Sequence, residues 1–208
     1  MTKPLGRRVT MAAAISALIL PFARHKALAA ADQAPASATP LVLDDFTGPG
    51  GIATIGTRWA GFTDRVMGGR SNAQAAYDVI DGRRCLRMKG RVSTDGGGFI
   101  QLALDLEMGQ APLDASAYAG IEMDFWGNGE DYNCHLRTTD VRWYEQSYRA
   151  TMASKPEWTT VRLPWSAFTP HGLTTLLNLK GLMRLGLLGW MRDFDADFAV
   201  SRVALYTA

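Results

Sequence analysis

Past residue 40 the apolar positions recur mostly every second residue, and glycine supplies the punctuation. Ile100, Leu102, Leu104 and Leu106 alternate with Gln101, Ala103 and Asp105, the pattern of a strand that buries one side. Ile121, Met123 and Phe125 alternate in the same way with Glu122, Asp124 and Trp126. Asp81-Gly82 predicts a hairpin turn between strands at 73–80 and 83–92, because glycine accepts the positive φ such a turn demands. Gly127-Asn128-Gly129 predicts a second turn, between strands at 120–126 and 131–138. Further strands are expected at 41–46, 143–152, 158–163, 182–190 and 198–206. No window beyond the N-terminal segment sustains a 3.6-residue apolar period, although 112–118 and 173–180 have room for one or two helical turns. Around nine short strands between Gly/Pro turns predict an all-β, antiparallel sandwich with one core.

Residues 1–31 break this pattern. They hold five of the 22 Lys/Arg and none of the 20 Asp/Glu, so the formal charge of +2 becomes −3 for the remainder. A body of that charge lacks the positive field that phosphate backbones require, which excludes a general nucleic-acid binder. Basic residues at 3–8, an apolar run from Val9 to Ala23 and small residues at Ala27 and Ala29 describe an export signal over 1–29. The apolar run is interrupted by Pro21 and falls short of the ~20 residues that cross a bilayer, so no membrane span is expected in the mature chain. Arg7-Arg8 fits twin-arginine export, while Thr10 stands where that motif wants a bulky apolar residue; both export routes stay open. The expected organisation is signal 1–29, flexible leader 30–40 and one sandwich domain 41–208, in a periplasmic or extracellular protein.

The usual signatures of catalysis are missing. The chain has no His-Glu-x-x-His, no Cys-x-x-Cys, no Gly-x-Ser-x-Gly and no phosphate-cradling Gly-x-x-x-x-Gly-Lys. Glu122 and Asp124 lie on one side of one strand, about 7 Å apart, near the spacing of an inverting glycosidase, but any i, i+2 pair shares that spacing. Asp44-Asp45 and the trio Asp193, Asp195 and Asp197 are hard oxygen donors that would suit a structural calcium if the terminal strands bring them together; exposed turn aspartates are the alternative. Cys85 and Cys134 fall in expected strands and read as buried free thiols, with a bridge open to them in an oxidising compartment. The expectation is a protein without catalytic residues, cofactor or metal.

The most distinctive stretch is Trp59 followed by Thr63-Asp64-Arg65-Val66-Met67-Gly68-Gly69-Arg70-Ser71. It reads as a tight loop in which glycines free the backbone and Asp64 pairs with Arg65 or Arg70. Downstream come Gly97-Gly98-Phe99, Gly127-Asn128-Gly129 with Tyr132, Leu136-Arg137-Thr138, Trp158, Leu163-Pro164-Trp165 with Phe168, and Phe198. In that order, from about Leu41 to Tyr206, these motifs resemble the complex I intermediate-associated protein 30 family, with Trp165 where Phe is more usual. The resemblance implies a galactose-binding-like jelly-roll sandwich, similar to carbohydrate-binding modules and without known catalytic residues. Mitochondrial members of that family assist assembly of NADH:ubiquinone oxidoreductase; the export signal is a departure from them.

Two partners follow as expectations: a protein in or near a membrane complex, by family analogy, or a glycan of the envelope or extracellular space. On an exposed sheet Asn133, His135 and Arg137 would alternate outward, and 143–148 would present Trp143, Tyr144, Gln146 and Tyr148, with some of those aromatics expected in the core instead. Arg65 and Arg70 are candidates in the glycine loop, whose role is otherwise architectural. Trp158 and Trp165 are expected in the core.

Overall fold

In the computed structural model, which describes residues 39–208, the alternating segments become twelve strands. They are β1 (Leu41–Asp44), β2 (Trp59–Thr63), β3 (Asn72–Ile80), β4 (Arg83–Val92), β5 (Phe99–Asp105) and β6 (Gly120–Gly127). The second half adds β7 (Asp131–Thr138), β8 (Ser147–Ala153), β9 (Thr159–Pro164), β10 (Thr169–His171), β11 (Leu182–Trp190) and β12 (Phe194–Tyr206). The first sheet runs β3-β4-β12-β6-β9 with β1 also on β12, and the second runs β10-β8-β7-β11-β5-β2. Every pairing is antiparallel. The expected signal at 1–29 and most of the 30–40 leader lie outside the described residues. Among the described residues no helix is long and apolar enough to cross a membrane.

The period of two sorts side chains between the core and the outside. Leu102 and Leu104 of β5, Leu136 of β7, and Leu185 and Leu187 of β11 are fully buried from the second sheet. Met123 and Phe125 of β6 and Phe198 and Val200 of β12 meet them from the first. Each such side chain contributes about 2 kcal/mol by leaving water. Tyr132 joins the two layers: its ring lies 4.7 Å from Phe198 and 5.7 Å from Phe125, centroid to centroid. Its hydroxyl donates to Asn128 Oδ1 at 2.7 Å and accepts from the Asp197 N–H at 2.9 Å, which satisfies a buried polar tip and fixes the 127–129 turn.

Several expectations need correction. No helical turn forms at 112–118, because Leu113 exchanges both backbone hydrogen bonds with Leu182 and Asp114 closes a side-chain turn on Ser116. None forms at 173–180, where the Leu176 carbonyl is held by the Tyr148 hydroxyl at 3.0 Å. The strand expected at 143–152 begins only at Ser147, since Gln146 Oε1 accepts from the N–H groups of Arg142 and Trp143 and ties that stretch into a turn. Tyr148 is therefore core, not surface. Trp165 packs against the core half-buried, with its indole donating to the Tyr118 carbonyl at 2.7 Å. Trp158 stays at the sheet edge, its ring beneath Arg83 and its Nε1 donating to the Ile80 carbonyl. Strands β2 and β10 were not expected. Cys85 and Cys134 are both buried and free; Cys134 points into the core from the second sheet, while Cys85 has its Sγ against the Asp78 carbonyl at the first.

Candidate ligand cleft

Strand parity turns Phe62, Phe99, Gln101, His135, Arg149 and Trp190 to the outer face of the second sheet. Together with Arg137, Arg184 and Leu188 they line a cleft of about 270 Å³. The Gln101 amide packs down onto Gly186, where a Cβ would collide with it. Aromatic rings cross the floor from strand to strand. Phe62 meets Phe99 edge-on at 6.2 Å, Phe99 lies 6.0 Å from Trp190, and Trp190 is 5.1 Å from the His135 imidazole. The Arg149 guanidinium sits 4.6 Å from the Trp190 centroid, close enough for a cation–π contact.

His135 is 8% exposed, and its Nε2 is buried without a hydrogen-bond partner. Burial, reinforced by the charges of Arg149 and His171, pushes its pKa down to about 3, so the ring is neutral at ordinary pH. A neutral imidazole nitrogen buried without a partner behind a cleft wall is an unmet hydrogen-bonding position. Arg137 donates to the carbonyls of Tyr144 at 2.9 Å and Trp143 at 3.2 Å. Burial, then the nearby Arg184, lowers the Arg137 pKa. Arg149 donates to Ser147 Oγ at 2.8 Å and to the Glu145 carbonyl at 3.1 Å.

The glycine loop reaches this cleft through different residues from those expected. Asp64 opens a short 3-10 turn, Asp64–Met67, and is fully buried. Its carboxylate accepts from Ser71 Oγ at 2.6 Å, from the Ser71 N–H at 2.9 Å and from the Gly98 N–H at 2.6 Å, with the Phe99 N–H at 3.3 Å. A Cβ on Gly69 or Gly97 would meet that carboxyl group, which explains both glycines. Asp64 is thus bound by neutral donors and not by Arg65 or Arg70. Arg65 is exposed, and Arg70 pairs with Asp95 at 2.9 Å on the surface. The loop instead delivers Val66 and Met67 to the cleft rim.

Of the residues singled out in the sequence, His135, Arg137 and Tyr144 come together here. Asn133 shares the face but accepts from Thr151 Oγ1 outside the cleft, and Trp143 gives only its carbonyl to Arg137. Phe62, Phe99, Arg149, Arg184 and Trp190 were missed. Outward parity was legible on β11, but β2 was not expected, 143–152 was read with Tyr148 outward, and which strands neighbour β7 has no local signal.

The acidic candidates do other work. Glu122 accepts from Arg162 at 2.7 Å and Arg202 at 2.6 Å, and that pairing, with Arg162 foremost, holds its carboxyl below the usual range. A permanently ionised, doubly paired carboxylate does not serve as a general acid. β1 and β12 do pair, but Asp44 sits opposite Val203, about 20 Å along β12 from Asp197. Asp44 receives the Trp59 indole at 2.8 Å, Asp193 receives the Thr94 N–H at 2.7 Å, and Asp197 grips Arg87 at 2.7 Å. The register thus keeps the two acidic groups apart.

The fold is shared with known binding modules. A family 11 carbohydrate-binding module of a cellulosomal cellulase of Clostridium thermocellum superposes with a TM-score of 0.66 at 14% identity, covering 82% of this chain and 96% of that one. The module from Clostridium thermocellum in complex with a β-1,3-1,4-mixed-linked tetrasaccharide gives 0.65 at 16% identity over 83% and 98%. A family 30 carbohydrate-binding module gives 0.53 at 14% identity over 83% and 86%. These likenesses identify the two sheets as a jelly-roll β-sandwich of the galactose-binding-like kind. No curated protein matches the chain. The family model for complex I intermediate-associated protein 30 matches residues 45–193, spanning the Asp64–Ser71 loop and the cleft strands, and the chain belongs to that family.

Proposed function

We propose that the protein is a non-catalytic binding protein that seats a saccharide in the cleft on its second sheet. The observation that carries this reading is the ring series Phe62, Phe99, Trp190 and His135, ending at the unpartnered His135 Nε2. Flat aromatic surfaces stack on the apolar faces of sugars, and a recessed neutral imidazole bonds a hydroxyl without selecting charge. The saccharide complex of the family 11 module supports the choice of ligand class for this fold.

A protein partner in or near a membrane complex is the second reading, supported by family membership and by exposed apolar side chains at the rim. Val66 is 71% exposed, Met67 51%, and Tyr144 77%. Export through the segment 1–29 would place either partner in the periplasm or outside the cell.

A glycan array probed with the full chain, beside affinity capture from solubilised envelope, separates the two. Saccharide binding that disappears in Trp190→Ala, while the variant stays folded, is the expected result. Capture of one stoichiometric envelope protein with no glycan bound would reverse the order.

A further inference from the structure

Elsewhere on the sandwich Glu122, Asp197 and Asp105 each grip an arginine within 3 Å. The cleft breaks this habit. Arg137, Arg149 and Arg184 line it with Glu145 as the one carboxylate. Asp105 neutralises Arg184 at 2.6 Å. Arg137 and Arg149 are only half-buried, yet among the described residues both donate solely to neutral oxygens, Tyr144 and Trp143 carbonyls for one, Ser147 Oγ and the Glu145 carbonyl for the other. A guanidinium has five N–H donors, so three on each remain for a ligand. Glu145 acts on Arg137 from nearby without bonding it, so an arriving anion would supply the paired N–H···O⁻ bonds that both guanidinium groups lack.

We infer that the cleft takes an acidic saccharide, with a sugar ring over Trp190 and its carboxylate or sulfate group bound by Arg149 and Arg137. This rests on the saccharide reading above and narrows it to an anionic class. Carboxylate and sulfate present the same pair of oxygens to a guanidinium fork, so the shared chemistry is a planar or tripodal oxyanion on a sugar. His135, neutral and lacking a partner at Nε2, serves a hydroxyl beside the anion without adding a third positive charge. The body's net charge of −3 makes a locally cationic cleft a feature of the site and not of the surface at large.

The test is calorimetric titration of the full chain with hexagalacturonate, sulfated cellohexaose and cellohexaose. At least one acidic hexasaccharide is expected to bind about tenfold more tightly than cellohexaose, with affinity falling as salt is raised. Which acidic probe binds identifies carboxylate or sulfate as the group. Arg149→Gln and, separately, Arg137→Gln should each weaken that probe about tenfold and flatten its salt dependence, a larger loss than either causes for cellohexaose, whereas Arg149→Lys should recover part of the loss. Equal affinity for all three probes, independent of salt, overturns the inference and leaves the saccharide reading standing. Failure of all three in titration, together with an empty glycan array, overturns both.

Discussion

The Asp64 carboxylate has no contact with solvent and is met only by N–H and hydroxyl donors from Ser71, Gly98 and Phe99. Asparagine has the same shape but turns one acceptor into a donor facing other donors, so Asp64→Asn is expected to cost about 2–4 kcal/mol. A lower urea midpoint with an unchanged slope would show it; a loss under about 0.5 kcal/mol would mean that Asp64 does not organise the loop. The sequence marked this loop clearly and misassigned its bonds. Opposite charges next to Asp64 drew attention to Arg65 and Arg70, yet its partners are Ser71, seven residues on, and Gly98, 34 residues away. The Gly98 contact is set by β2 pairing with β5, which no local pattern encodes.

At the next scale, Glu122 ties three strands of the first sheet, joining β6 to Arg162 on β9 and to Arg202 on β12. Its pKa is held down in the folded state, so its contribution is present above pH ~4.5 and is lost as pH falls through the folded value. Glu122→Gln should therefore destabilise the protein by about 1–3 kcal/mol at pH 7 and by progressively less toward pH 3, without changing saccharide affinity. Denaturation curves at the two pH values check the first part, and a titration checks the second. The strands themselves were the most legible part of the chain, because one buried face imposes strict alternation, as Ile100 to Leu106 shows. β2 was illegible for the opposite reason: Trp59-Ala60-Gly61-Phe62-Thr63 puts a glycine inward and aromatics on both faces. The inward position holds a glycine because a Cβ there would run into the Ala75 side chain.

Across the whole sandwich the sheets divide their tasks, the first carrying paired charge on its outer face and the second carrying an unpaired, ring-lined cleft. That division gives the molecule a pH response of its own. His135 is buried neutral with a pKa near 3, lowered by burial first and by Arg149 and His171 after it, while an unfolded imidazole titrates near 6.5. As pH drops below 6.5 the unfolded chain takes a proton that the folded cleft refuses. Stability then falls by up to about 1.4 kcal/mol per pH unit, or about 2 kcal/mol by pH 5, and this loss stops only near the folded pKa. Between pH 7.5 and 5.0 Glu122 adds little, because its carboxylate is mostly ionised in both states there. Exposed His171 shifts in the same direction, so the histidines must be separated. Denaturant titrations at pH 7.5 and 5.0 on the parent, His135→Gln and His171→Gln should show the slope flattened mainly in His135→Gln. Equal slopes in all three proteins would mean that His135 accepts its proton while folded, and that the cleft wall is wetter than its geometry shows.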